Sequence, residues 1–284
     1  MSDQASAKVS QRPLAVVKVG GDILLDDNQR IGLAKNIIGL LNENWRVVVL
    51  HGGGPQLSTM QSRCGIQPRK VAGRRITSKE DLVLVKQVLC GQVNVDLVSL
   101  MHAHGIDGFG CHGASGKLIQ AEKRPPTRVS GGGSELIDFG EVGDVTSINT
   151  ILLDHLLSAD LVPIIASLGV DPSGDVFNIN ADTTVVQIAR QMSAELLIFV
   201  TGVGGIFHDI KDPTSRFPYL DATAAREHIN SGIIVDGMIP KVEEALSLLE
   251  SGVDTIAIVD TREASAFTSI AKGNGDYGTL IRAS

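Results

Sequence analysis

The sequence predicts an α/β fold built on a largely parallel sheet. Two observations carry this. Strand-length apolar runs alternate along the chain with stretches of helical periodicity, the pattern of strands joined by crossover helices. Two of those runs, Val16–Val19 and Val47–Leu50, pass almost directly into bare glycine: Gly20-Gly21 and Gly52-Gly53-Gly54. In open α/β sheets, ligands bind just beyond the carboxyl ends of strands.

The elements follow in order. Residues 14–19 read as a buried strand. From Asn28 to about Asn44, Ile31, Ala34, Ile37, Ile38 and Leu41 mark one face of a helix. Residues 46–51 are strand again, and Pro55 suits the first turn of a helix ending near Gly65. Thr77-Ser78-Lys79-Glu80 predicts a capping box with Thr77 as N-cap, ahead of a long helix that offers Leu82, Val85, Val88, Leu89, Val93, Leu97 and Met101 to the core. Glycine clusters and Pro125-Pro126 between Ile106 and Val145 predict β-hairpins, with Gly131-Gly132-Gly133 at a flexible tip. A helix over about Ser147–Ser158, a strand Val162–Ala166, a helix opening near Ala181 and a strand at 195–200 come next. Helices near 223–231 and 240–251 and a strand Thr255–Val259 complete the reading.

Composition narrows the classes of function. A net charge of −7, without a lysine- or arginine-rich block, and 4% aromatics argue against nucleic acid. The apolar zone Ile151–Val170 is broken by Asp154, His155 and Asp160, and no uninterrupted apolar run reaches membrane-span length. Residues 1–13 form a polar tail without a signal-peptide core. Three cysteines, Cys64, Cys90 and Cys111, without CxxC spacing, suit a reducing cytoplasm. His102, His104, Cys111 and His112 could gather a metal, but nothing in their spacing fixes a geometry, so no metal site is assigned.

Five local features carry chemistry. Lys18 lies inside an apolar strand beside Gly20-Gly21, where an unpaired buried charge is costly, so it must reach a partner or, as an edge lysine, snorkel out to solvent. Gly52-Gly53-Gly54 ahead of Pro55 exposes backbone N–H groups at a helix N-terminus, a setting that favours anions. It is not a Walker A loop, because no GK[ST] follows. Gly73-Arg74-Arg75-Ile76-Thr77 offers a guanidinium fork for a carboxylate, and surface arginines explain it about as well. Asn178-Ile179-Asn180-Ala181-Asp182 reads either as helix capping or as an acid that orients lysines. In Asp236-Gly237-Met238-Ile239-Pro240-Lys241, Pro240 puts Lys241 in a first helical turn, against the helix dipole, as a bound anion would allow.

KVGG, HGGGP, GRRIT, NINAD and DGMIPK, in this order over about residues 14–282, resemble the amino acid kinase family. The resemblance implies a three-layer αβα sandwich in two lobes. Residues 14–194 would bind the amino acid and dimerise, and residues 195–284 would bind ATP. It implies transfer of the γ-phosphoryl group of ATP, with Mg²⁺, to a side-chain carboxylate, that of N-acetyl-L-glutamate in the nearest branch. Lys18 and Lys241 would hold the phosphoryl group and Asp182 would organise them; Gly20, Gly21, Gly53 and Gly54 would offer N–H groups. Arg75 and Asn178, with Gly53 and Gly54, would bind the substrate.

The chain departs from the family at Gly202, where an aspartate commonly follows Ser or Thr, and at Cys111–Gly116 and Thr261–Gly275. The first bears on ATP binding; the departure at Thr261–Gly275, with only thirteen residues ahead of Leu14, predicts a homodimer without arginine feedback. A kinase for carrier-linked aminoadipate and a non-catalytic amino-acid sensor remain open alternatives.

Overall fold

Apolar side chains pointing alternately to either side of one buried strand organise the molecule. In this computed structural model, which describes residues 12–128, 135–234 and 255–282 and positions 239, 242, 243, 246 and 249, that strand is β1 (Leu14–Val19). The chain continues through α1 (Asp27–Asn42), β2 (Arg46–His51), α2 (Gly54–Arg63), the short strands β3 (Lys70–Val71) and β4 (Arg74–Arg75), α3 (Lys79–Lys86) and α4 (Asn94–Ala103). Then come β5 (Gly108–His112), β6 (Ile119–Lys123), β7 (Val142–Ile148), α5 (Thr150–Ser158), β8 (Val162–Ala166), β9 (Leu168–Val170), β10 (Val176–Ile179) and α6 (Ala181–Gln191). The last part holds β11 (Leu196–Val200), β12 (Tyr219–Asp221), α7 (Ala222–Asn230), β13 (Thr255–Val259), a helix Ala266–Ala271, and β14 (Gly278–Arg282).

The main sheet has eight strands in the order β12-β14-β13-β11-β1-β2-β8-β5. Only the β13–β14 pair is antiparallel. Ala15, Val17 and Val19 pack with Leu33, Ile37, Leu97, Met101, Phe267 and Ile270 on one side of the sheet. Leu14 and Val16 pack with Leu153, Leu157, Val185 and Ile188 on the other. Strand alternation therefore divides the core into two layers with helices outside both, the αβα sandwich expected. Val242, Leu246 and Leu249, at helical positions, join the second of these cores.

Register brings the functional ends together. Val19 pairs with His51 and with Val200, and Val200 with Val259. Gly20, Gly52, Thr201 and Asp260 thus follow four strands that end side by side. Next to the main sheet, β10-β7-β6-β9 close into a small barrel.

Several expectations need correction. The capping box is one residue later than predicted: Ser78 is the N-cap and Asp81 reaches back to it. Thr77 is not free to cap, because its N–H donates to Phe139 O and it is wholly buried. Gly108–His112 joins the main sheet as its edge strand rather than forming a hairpin. Ser147 and Ile148 end β7, and the helix starts only after Asn149, whose side chain accepts from Leu152 N. The C-terminal strand β14 and the hairpin of β9 with β10 are additions. Gly131-Gly132-Gly133 lies outside the described residues.

Residues Lys79–Ala103 form one helical run of 25 residues with a π-helical stretch, Gln87–Val93, at its centre. Contrary to the expectation from uninterrupted runs, its length and composition would suffice to cross a membrane. Its average is high although Lys86, Gln87, Asn94 and Asp96 interrupt it. In the fold Val85, Val88, Leu89, Val93, Leu97 and Met101 are buried in the protein core.

Candidate active site

Lys18, on the penultimate residue of β1, meets an acid from across the site. Its Nζ lies 2.6 Å from Asp182 Oδ1. Asp182 is presented by the first turn of α6, which Asn180 caps by accepting from Asp182 N (2.8 Å) and Thr183 N (3.0 Å). Of the two readings of the NINAD stretch both hold, divided between residues: Asn180 caps, and Asp182 pairs with the lysine.

The two glycine loops touch. A Cβ placed on Gly21 would stand 2.8 Å from Pro55 Cδ and 3.2 Å from Gly53 Cα, so a side chain at Gly21 would force the loops apart. Gln56 ties them by donating from Nε2 to Gly21 O at 2.7 Å. The N–H groups of Gly20, Gly21, Gly53 and Gly54 have no hydrogen-bond partner among the described residues. Gly20, Gly21 and Gly53 are buried, and buried backbone donors are rarely left so; here they flank a helix N-terminus, opened by the exposed Gly54, and a lysine. This arrangement attracts phosphate or carboxylate oxygens.

Arg75 forms a third wall. The hairpin of β3 and β4 turns at Ala72 (φ 47°) and Gly73 (φ 78°), the two left-handed positions of a type I′ turn. Arg75 then reaches α2, donating to Gly54 O (3.3 Å), Ser58 Oγ (2.8 Å) and Gln61 Oε1. Gln61 is wholly buried, and its amide donates to Asp81 Oδ1 at 2.5 Å. Burial would raise the Asp81 pKa, but hydrogen bonds from Ser78 and Gln61 outweigh it and hold it below the usual carboxylate range. Burial lowers the Arg75 pKa, with Asp81 opposing the shift. Asn178, at the end of β10, donates to Thr77 Oγ1 at 3.1 Å and so stands beside the strand–helix junction that follows Arg75.

Of the residues singled out by sequence, Lys18, Asp182, Gly20, Gly21, Gly53, Gly54 and Arg75 are linked directly or through Gln56. Asn178 is joined through Thr77. Lys241 lies outside the described residues. Gln56, Gln61 and Asp81 were missed: buried side-chain amides give no sequence signal beyond polarity in an amphipathic helix. Among the described residues no group of three or more His, Cys, Asp or Glu could hold a metal ion, and His102, His104, Cys111 and His112 form none. Burial pushes the Cys111 thiol up to about 12 and the Cys90 thiol up to about 11, which leaves both protonated and inert at neutral pH.

At Gly202, Asp22 fills the space left by the missing side chain. A Cβ on Gly202 would lie 3.3 Å from Asp22 Oδ2. The Asp22 carboxylate, with no partner among the described residues, therefore stands between the first glycine loop and the end of β11.

A parallel αβα sheet whose strand ends carry a lysine–aspartate pair and two open glycine loops defines a protein that handles anionic groups by charge and backbone donors. The chain belongs to the amino acid kinase family, whose sequence profile matches residues 13–260. It is 39% identical over 266 residues to an acetylglutamate kinase of Anaeromyxobacter sp. (strain Fw109-5), covering 94% of this chain and 98% of that one. An acetylglutamate kinase of Sorangium cellulosum (strain So ce56) is 38% identical, covering 99% and 98%. Among solved structures, smu.665 from Streptococcus mutans UA159 superposes with a TM-score of 0.70 at 27% identity, over 95% of this chain and 99% of that one.

Proposed function

We propose that the chain is an acetylglutamate kinase, transferring the γ-phosphoryl group of ATP to the γ-carboxylate of N-acetyl-L-glutamate in arginine biosynthesis. The Lys18–Asp182 pair beside four glycine N–H groups that have no partner among the described residues is the observation that carries this reading, together with near-full-length relatives of that name. A glutamate side chain has a pKa of about 4.3 and is ionised at neutral pH, so the nucleophile needs no general base. Two anions must instead be brought together and their repulsion cancelled, which makes catalysis a matter of positioning and electrostatics.

In this proposal Lys18 neutralises charge on the group in flight, and Asp182 holds the lysine rather than acting as a base. Gly20, Gly21, Gly53 and Gly54 donate to phosphoryl oxygens, and Gly53 and Gly54 also to the substrate. Arg75 and Asn178 clamp its α-carboxylate, and Lys241 is the second cation. Residues 14–194 form the amino-acid lobe and 195–284 the ATP lobe. Mg²⁺ would travel on the triphosphate, shielding its charge, with Asp22 as a nearby carboxylate. The open edge at β5, with Phe109 exposed on it and Val95 exposed on α4, suits a homodimer, which we propose lacks arginine feedback. Free cysteines suit a cytoplasmic setting.

The test is a substrate panel of acetylglutamate, glutamate, aspartate, carbamate and UMP with MgATP, trapping acyl phosphate as the hydroxamate. Product from acetylglutamate is expected. Its absence overturns the assignment, and binding without turnover would make the chain a sensor. Light scattering with and without arginine checks the dimer, and a hexamer would refute it.

A further inference from the structure

His51 ends β2 and is wholly buried. Its Nδ1 lies 2.8 Å from Gly52 O, and its Nε2 lies 2.9 Å from Asn94 Nδ2. The same Asn94 amide donates to Ile164 O at 2.9 Å. An amide nitrogen only donates, so Nε2 must accept and Nδ1 must carry the proton that goes to Gly52 O. The imidazole is thereby neutral, with one tautomer, and both nitrogens are used.

The consequence lies in the next atom of the chain. The Gly52–Gly53 peptide is trans, and in a planar trans peptide the C=O and the following N–H point in opposite directions. With Gly52 O held against His51, the Gly53 N–H faces away from the buried imidazole. That N–H is partnerless among the described residues, in a buried residue at the N-cap of α2. Glycine on both sides of the peptide leaves it free to rotate as a unit. Rotation would replace a donor by a carbonyl oxygen and turn an anion-attracting loop into an anion-repelling one. The π-helical stretch supports the arrangement from behind. A Cβ on Gly53 would lie 3.0 Å from Leu89 Cδ1 and 3.4 Å from Val93 Cγ2, and Asn94 follows directly. π-turns often mark functional sites; here one shifts the helix register just before the residue that braces His51.

We infer that His51, braced by Asn94, is a positioning residue that locks the Gly52–Gly53 peptide with its N–H toward the bound anion. The effect on turnover rests on the acetylglutamate kinase reading; the peptide's orientation does not.

Two amide substitutions separate the nitrogens. Asparagine puts its amide near Nδ1 and can still donate to Gly52 O, whereas glutamine reaches only the Nε2 position. Kinetics with acetylglutamate and MgATP, melting temperatures, and high-resolution crystal structures of the full chain would be compared for wild type, His51→Asn and His51→Gln. Losing one oxyanion-type donor costs roughly 10²–10³ in kcat, so His51→Gln is expected to fall in that range while His51→Asn stays within about tenfold of wild type. KM for acetylglutamate should rise as well in His51→Gln, since Gly53 is also assigned a donor role to the substrate, and should stay near wild type in His51→Asn. The His51→Gln crystal should contain the rotated peptide. Equal losses in both variants, tracking their melting temperatures, would overturn the lock in favour of a packing role. So would a native Gly52–Gly53 orientation in His51→Gln. Failure of wild type to form the acyl phosphate would refute the substrate assignment instead, and the two crystal structures would still decide the lock.

Discussion

Lys18 Nζ and Asp182 Oδ1 stand 2.6 Å apart, although their Cα atoms are carried by a central strand and by the first turn of a helix far along the chain. Lys18 is mostly buried and Asp182 about one-third exposed. Removing either charge leaves the other without its partner. Lys18→Arg and Asp182→Asn are each expected to cut kcat by about 10²-fold or more, with KM for either substrate changed much less. Arginine keeps the charge but not the point geometry of an ammonium. Steady-state kinetics decides this: near-normal kcat in both variants would remove the pair from the mechanism.

Arg75 depends on a side chain it touches. Gln61 accepts from Arg75 and donates to Asp81, so Gln61→Leu strips a half-buried guanidinium of one partner and a buried carboxylate of another. Leaving such groups unsatisfied costs about 1–3 kcal/mol of stability. Arg75 should also lose its fixed orientation. The expected result is a lowered denaturation midpoint and a KM for acetylglutamate raised about tenfold or more, as 1.4 kcal/mol is a factor of ten, with kcat changed little. Kinetics over a wide acetylglutamate range measures it; an unchanged KM would free Arg75 from the substrate clamp.

How much of this was legible in the sequence follows from what each feature depends on. Lys18 between Val17 and Val19, and glycines after apolar runs, are local signals, so both glycine loops could be read directly. The central strands were equally plain, because a strand buried on both faces must be continuously apolar. Strand β14 was not, since Gly278-Thr279-Leu280 has no periodicity of its own and is placed by pairing with β13. The cap at Ser78 could not be told from Thr77 by spacing alone, because the choice is made by a bridge between Thr77 and Gly140. The partners of Arg75, and the brace of His51 by Asn94, are contacts between elements, which no local pattern encodes.

The relation of Asp22 to Gly202 makes a prediction about exchange of charges. Gly202→Asp would place a second carboxylate beside Asp22, since its Cβ would already lie 3.3 Å from Asp22 Oδ2. Like charges this close repel each other, and both would face the triphosphate. Gly202→Asp alone is therefore expected to weaken MgATP binding several-fold. Asp22→Asn combined with Gly202→Asp should recover most of it, because only one carboxylate then remains. Titration calorimetry of MgATP on the four proteins of the cycle measures the coupling directly. Additive effects of the two substitutions would show that the carboxylates do not share a location.

Acid should destabilise the fold through His51 before it reaches the carboxylates. Burial lowers the His51 pKa from 6.5 to about 4, partly offset by its hydrogen bond to Gly52. Between those values the unfolded chain binds a proton that the folded chain excludes, so stability falls as pH drops through that window. His51 contributes fully above pH 6.5, and the contribution is gone below about 4. A shift of this size amounts to about 3 kcal/mol. The Asp81 pKa is also lowered, but from 3.8, so its contribution is lost only at still lower pH. His51→Asn removes the imidazole proton while its amide can still reach Gly52 O. Urea midpoints measured from pH 7 to pH 4.5 should therefore decline less steeply for His51→Asn than for wild type. Parallel declines would mean that the imidazole takes up its proton in the folded protein at an ordinary pH.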